Sequence, residues 1–262
     1  MIDTHCHLDA DRFANDRGAV LDRARERGVR DIVVPAVDEG SWSVIAAMAS
    51  IREPQCHATI GIHPIAVPFM DIHGDDAMLE RMRVTLRAYH VVAIGECGLD
   101  DTIAMDKAPY DRQERLLAAQ FAIADEHNLP VILHARARGA YDRLLEFLRE
   151  NPLPRAGGVL HSYGGSIDLL KHFQAFDLYF GFAGPATYRN ARKVRTSVVA
   201  VADDRLLAET DAPDQTPEPH RPGRSEPAYV GDVIQGLAAA RGISFDACTA
   251  LTTANAQRLF KL

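Results

Sequence analysis

Short apolar runs alternate with longer amphipathic ones along the whole chain. The apolar runs fall at residues 2–7, 32–35, 57–62, 91–94, 131–133, 158–160, 178–182 and 205–208. Runs this short that are apolar throughout, instead of at every second position, suit parallel strands covered on both faces. Between them lie segments with helical spacing at 18–27, 41–51, 76–89, 111–127, 141–149, 167–176 and 190–202, and two more at 228–240 and 245–260. In the strongest of these, 111–127, Leu116, Leu117, Gln120, Phe121 and Ala124 share one side. Gly28 is placed to stop the first helix, and Pro130 to open the fifth strand. Eight such βα repeats predict an α/β chain folded as a single-domain (β/α)8 TIM barrel over residues 1–262. A dinucleotide-binding sheet would need a glycine-rich turn after the first strand. The chain has His5-Cys6-His7-Leu8-Asp9 there, which excludes it.

Composition adds bounds. The 262 residues are 47% hydrophobic and 25% charged, which suits a globular chain with a large core. A net charge of −7 argues against coating nucleic acid by bulk charge, although arginines and bound cations can reverse the field at one site. Cys6, Cys56, Cys97 and Cys248 form no CxxC pair and read as reduced thiols. The longest stretch without Asp, Glu, Lys or Arg, 54–70, holds three prolines and two histidines, so it makes a poor membrane span. A cytoplasmic monomer with no membrane association and no obligate protein partner is the expectation.

Candidate chemistry sits at the strand ends. His5 and His7, two apart on the first strand, project to one face. Glu96 ends the fourth strand, His134 the fifth and His161 the sixth, and Asp211 follows the eighth. The C-terminal ends of barrel strands share one rim, where barrel enzymes build their active sites. Six nitrogen and oxygen donors exceed the needs of one tetrahedral ion and predict two divalent ions with positions open to water and substrate. Singly, each residue has an ordinary explanation: a satisfied polar histidine, a barrel ion pair for Glu96, a cap or turn for Asp211. Their joint placement on five strands carries the signal. Cys6 and Cys97, alternating with ligands, are expected to point away from them.

The motifs His5-Cys6-His7-Leu8, Gly61-Ile62-His63-Pro64, Ile94-Gly95-Glu96-Cys97-Gly98-Leu99-Asp100, Pro130-Val131-Ile132-Leu133-His134-Ala135-Arg136 and Glu209-Thr210-Asp211-Ala212-Pro213 resemble the TatD family of metal-dependent hydrolases, in order and over nearly the whole chain. The resemblance implies a (β/α)8 barrel and metal-dependent phosphodiester hydrolysis, with DNase activity the best known. Its metal ligands fall on His5, His7, Glu96, His134, His161 and Asp211. Several positions depart from the family's usual pattern: Ala137-Arg138 after Arg136, Asp101-Thr102 after Asp100, Ser162-Tyr163 after His161, and Ser225 before Glu226. None removes a ligand; all touch loops that face substrate.

The mechanism expected on this reading uses a two-metal-activated water. His5, His7 and Asp211 hold one ion, His134 and His161 the other, and Glu96 bridges them. Asp211 also accepts the water's proton, so Glu96 and Asp211 are the catalytic candidates. Mg2+, Mn2+ and Zn2+ all suit such a donor set. For substrate, Arg136 can fork two hydrogen bonds to a phosphate. His63 is a phosphate contact, a donor to a ligand, or a turn histidine before Pro64. Arg189 and Arg192 lie in a basic run at 188–195, expected to open the helix after the seventh strand, and Arg224 and Arg221 lie in a proline-rich loop. The predicted function is a deoxyribonuclease or phosphodiesterase, with 3'-5' exonuclease action as the finer expectation. The alternative is hydrolysis of a small-molecule ester, lactone or amide, and a non-catalytic binding protein is a third class.

Overall fold

The computed structural model describes residues 1–262. Eight parallel strands pair in sequence order: β1 (Ile2–Asp3), β2 (Asp31–Val34), β3 (Gln55–Ile60), β4 (Ala93–Asp100), β5 (Val131–Arg136), β6 (Gly158–Leu160), β7 (Tyr179–Phe182) and β8 (Leu206–Ala208). The ring closes beyond the regular strands. Asp211 N donates to His5 O at 2.8 Å, His7 N donates to Ala212 O at 2.8 Å, and Cys6 forms a parallel bridge with Ala212. Closure therefore runs through the segments that carry His5, His7 and Asp211.

Helices α1 (Arg17–Glu26), α2 (Glu39–Met48), α3 (Asp75–Ala88), α4 (Tyr110–His127), α5 (Arg138–Glu150), α6 (Ile167–Phe173), α7 (Arg192–Ala200), α8 (Val230–Arg241) and α9 (Phe245–Phe260) complete the chain. The expected barrel is the observed one, and its core has two layers. The larger lies between strands and helices and includes Ile32, Val34, Val131, Leu133, Leu116 and Leu117. The smaller fills the barrel interior. Ile2, Val33, Ala93, Ile132, Val159, Tyr179 and Leu207 meet Leu259 and Phe260 from the end of α9, which plugs the N-terminal end. Alternation then sets what lies above that plug. Ile132, His134 and Arg136 share one face of β5, and Val159 and His161 follow the same spacing on the sixth segment, as do Leu207, Glu209 and Asp211 on the eighth. Apolar side chains thus occupy the bottom of the barrel, and ligating ones the top.

Several boundaries differ from expectation. Glu96 lies inside β4, which runs on to Asp100, with a register shift against β5 between Ile94 and Cys97. That irregularity lets Ile94 and Cys97 both face the outer core while Glu96 turns inward. Only the second half of the basic run at 188–195 opens a helix: α7 begins at Arg192, and 188–191 follow a 3-10 turn over Gly184–Thr187 as non-helical chain. Buried Arg112 on α4 pairs with Asp75 at 2.8 Å and donates to the carbonyls of Val67, Met70 and Lys107, tying together the loops after β3 and β4. No helix is long and apolar enough to cross a membrane.

Candidate metal centre

Five imidazoles converge on one buried carboxylate. Glu96 Oε1 lies 2.7 Å from His134 Nδ1, 2.8 Å from His161 Nε2 and 3.2 Å from His63 Nε2. Glu96 Oε2 lies 3.1 Å from His5 Nε2 and 3.5 Å from His7 Nε2. The carboxylate is therefore divided, one oxygen toward each group of histidines. Asp211 joins the second group, its Oδ1 3.6 Å from His5 Nε2 and 3.7 Å from His7 Nε2. The six ligand candidates of the sequence are all brought together.

Two further residues belong to this cluster. His63 sits with Glu96 and His134 as a compact donor group at the floor of the cavity. Its Nδ1 accepts from Ile65 N at 2.8 Å, which turns Nε2 inward. Asp100 had no role in the sequence reading, yet its Oδ2 lies 3.3 Å from His134 Nε2. The signal was available: 96, 98 and 100 share one strand face, so Asp100 points where Glu96 points. Two buried glutamines of α4 explain why these strand ends hold still. Gln120 accepts from Ile62 N at 2.8 Å, beside His63, and Gln113 accepts from Asp100 N at 2.8 Å. A buried amide on an otherwise apolar helix side thereby satisfies backbone groups that strand pairing leaves open.

Burial and charge compete throughout the cluster. Burial opposes ionisation of Glu96, but His161, His63 and His5 outweigh it and hold the carboxyl well below its usual range. Burial disfavours imidazolium at His161 and His134, yet Glu96, with Glu209 beside His161 and Asp100 beside His134, raises both. His63 goes the other way, pushed down to about 4 mainly by burial, and is neutral at physiological pH. Burial also works against ionised Asp100, but hydrogen bonds from His134 and Thr102 bring it down to about 2.

The donor set fits divalent metal ions. Glu96 Oε2, which faces His5 and His7, is buried with no hydrogen-bond partner, an arrangement that costs free energy unless something else fills it. His5 Nε2 and His7 Nε2 face each other at 3.3 Å, which two neutral lone pairs would not choose unaided. His5, His7, Glu96 and Asp211 can hold one ion, and Glu96, His134 and His161, with His63 beside them, a second. The ligating nitrogen of each of these histidines must be free of its proton for this, so loading should displace protons. Metal uptake at pH 7 is expected to release on the order of one to two protons, because His134 and His161 carry raised affinities for them. Calorimetry in buffers of different ionisation enthalpy reads this directly; proton-neutral uptake would contradict it. Affinity should correspondingly fall as pH is lowered.

Above the cluster opens a cavity of about 1450 Å³, whose wall includes Arg136, Arg138, Lys193, Gln215 and Ser162. Arg136 is exposed there and bonds to no other protein group. Two other expected substrate contacts are not in that wall. Arg189 is exposed outside it, because the segment before α7 is non-helical and Lys193 reaches the cavity instead. Arg224 is held in a forked pair by Asp16 at 2.7 Å, bonds Glu226 at 3.0 Å and covers the Phe13 ring, so its donors are already occupied. Arg221 lies over the Tyr188 ring. Cys6 and Cys97 are both packed in the outer core, away from the ligands.

Fold and centre together define a barrel with a histidine- and carboxylate-lined metal site of the kind metal-dependent hydrolases use. A family model described as TatD related DNase matches residues 2–261, and the chain belongs to the TatD family. It is 36% identical to an uncharacterized metal-dependent hydrolase, YabD, of Bacillus subtilis, covering 100% of this chain and 99% of that protein. It is 34% identical to a 3'-5' ssDNA/RNA exonuclease TatD of Pectobacterium carotovorum, over 100% of both. The crystal structure of YjjV, a TatD homolog from Escherichia coli, superposes with a TM-score of 0.90 at 32% identity, covering 100% of this chain and 98% of that one. The chain is a metal-dependent hydrolase of this family.

Proposed function

We propose that the protein is a phosphodiesterase acting on DNA, with 3'-5' exonuclease action on single strands. The observation that carries this reading is the divided Glu96 carboxylate at the floor of a wide cavity whose wall presents unpaired Arg136. A full-length relative named as a 3'-5' ssDNA/RNA exonuclease supports the substrate class. On this reading His5, His7, Asp211 and Glu96 hold one divalent ion, and Glu96, His134 and His161 the other, with Mg2+, Mn2+ and Zn2+ all chemically suited. When bound, such ions acidify water and offset charge on phosphoryl oxygens.

The chain's own residues do the rest. Glu96 fixes the spacing of the two ligand groups. Asp100 and Glu96 grip opposite nitrogens of His134 and so fix its ring. Asp211 stands in the cavity wall beside His5 and His7 and can accept the proton that the attacking water gives up. Arg136 orients the phosphate by two parallel hydrogen bonds.

Arg136→Ala is expected to raise KM about tenfold and to reduce the slope of log affinity against log salt by about 1. Arg224→Ala should leave that slope alone, since Asp16 and Glu226 already occupy its donors. Equal salt slopes in wild type and Arg136→Ala would remove Arg136 from substrate contact. The deciding assay incubates metal-stripped protein, reloaded with Mg2+, Mn2+ or Zn2+, with 5'-labelled and 3'-labelled single-stranded DNA. A ladder shortening from the 3' end is expected. One observation favours the second reading, hydrolysis of a small-molecule ester, lactone or amide: Asp142, Asp168 and Asp214 also stand in the cavity wall, where a polyanion meets them. Uncut DNA with every ion would transfer the assignment to that class.

A further inference from the structure

Asp211 differs from the other candidate ligands in how its second oxygen is held. Its Oδ1 faces His5 and His7, and its Oδ2 accepts a close hydrogen bond from Gln215 Nε2. Gln215 is itself oriented. The Ser162 hydroxyl donates to Gln215 Oε1 at 2.9 Å, and Nε2 lies 2.6 Å from the same hydroxyl. The Asp211 carboxylate can only accept, which fixes the amide nitrogen toward it, and the Ser162 hydroxyl, in reach of both ends of the amide, braces it there. Ser162 is anchored in turn, its backbone N–H donating to Glu209 Oε1 at 2.5 Å.

The backbone around these groups leaves little freedom. Ser162, Asp211 and Gln215 all adopt positive φ, at 46°, 53° and 48°. A Cβ on Gly184 would meet Gln215 O at 1.7 Å, so the backbone there is packed against a second loop. Tyr188 Oη donates to Thr216 O at 3.0 Å, pinning the next residue. A side chain projected from so fixed a backbone reaches one place, and Gln215 reaches Asp211.

We infer that Gln215, braced by Ser162, is a positioning residue that keeps Asp211 a one-oxygen ligand directed at the His5 and His7 ion position. The inference rests on the reading of Asp211 as a metal ligand and needs no assumption about substrate. Without the amide, the carboxylate can rotate about its last torsion and offer either oxygen, both, or neither. The pair also links the two halves of the centre, since Ser162 follows His161 and Gln215 follows Asp211 in the chain.

The test uses metal-stripped full-length protein titrated with Co2+ and followed by visible absorption. Gln215→Met keeps the length of the side chain and removes its donor; it is expected to weaken cobalt binding about 10- to 100-fold and to change the visible band. Ser162→Ala should weaken binding less, and the double variant should match Gln215→Met alone, because the serine acts through the glutamine. Gln215→Asn, whose amide is one methylene too short, should behave like Gln215→Met and guards against a folding defect specific to methionine. A melting temperature of the metal-free variants close to wild type separates positioning from support of the fold. Identical cobalt affinity and spectrum in wild type and Gln215→Met would overturn the inference while leaving the metal site standing. Additive effects of the two single variants would remove Ser162 from it. Wild-type protein that takes up no cobalt would overturn the metal reading and this inference with it.

Discussion

Glu96→Ala protein, loaded with any of the three ions, is expected to lose at least about 10⁴-fold in turnover, as enzymes do when a residue essential to the reacting group is removed. The reason is geometric. Five imidazole nitrogens lie between 2.7 and 3.5 Å of its two oxygens, so its carboxylate joins the two ligand groups directly. Its removal also deletes the negative charge that raises the proton affinity of His134 and His161. Those histidines become neutral more readily, yet they lose the anion that tied them together. Glu96→Gln sharpens the experiment, because it preserves shape while one oxygen becomes an N–H donor aimed at a ligand nitrogen. Glu96→Gln, which keeps the shape, is the variant expected to fold as wild type, whereas Glu96→Ala removes the charge that outweighs burial at His134 and His161 and should melt lower. The measurements are kcat with reloaded metal, metal content after dialysis and melting temperature. Wild-type turnover in Glu96→Ala would dispose of the bridging assignment. Normal metal content with no turnover would restrict Glu96 to a role after loading.

What the sequence made legible depended on strand alternation. His5, His7, His134, His161 and Asp211 could be placed because period two carries a side chain from the apolar plug to the rim on the same strand face. That argument assumes regular strands, and β4 breaks it with a register shift between Ile94 and Cys97. The strand expected to end at Glu96 runs through the shift to Asp100, so a carboxylate beside His134 went unread although it shares a face with Glu96. His63 was ambiguous for another reason: whether a strand-end histidine looks in or out is decided by one local hydrogen bond, here from Ile65 N. Arginines were the least legible. Arg136 and Arg224 are alike in sequence, but Asp16, which occupies Arg224, lies 208 positions away along the chain. Long-range pairing of flexible side chains leaves no periodic trace. Gln113 and Gln120 on α4 show the converse, since a polar residue on an apolar helix side announced a buried backbone partner without naming it.

Gly98→Ala is expected to damage both fold and centre, through one methyl group. Gly98 sits at φ 145°, a conformation that side-chain-bearing residues avoid, and pairs in register with His134. A Cβ there would lie 2.0 Å from His134 O and 2.8 Å from His134 N. Neither atom can yield by rotating a side chain, because both belong to the backbone of β5. The strands must separate or β4 must retwist, and a cost of at least about 3 kcal/mol follows from the combined strain and lost pairing. For a chain of this size that lowers the melting temperature by roughly 6–12 °C. The second consequence is chemical. His134 is the residue displaced, and it is held between Glu96 at 2.7 Å and Asp100 at 3.3 Å. A shift of a few tenths of an ångström in its backbone moves its ring off one of them, so metal affinity should fall together with stability. Gly18→Ala is the matched control, since a Cβ there meets nothing within 4 Å. Thermal melts and cobalt titration of the two variants decide the matter. A Gly98→Ala protein with wild-type melting temperature and affinity would mean that β4 and β5 can part at the centre without consequence.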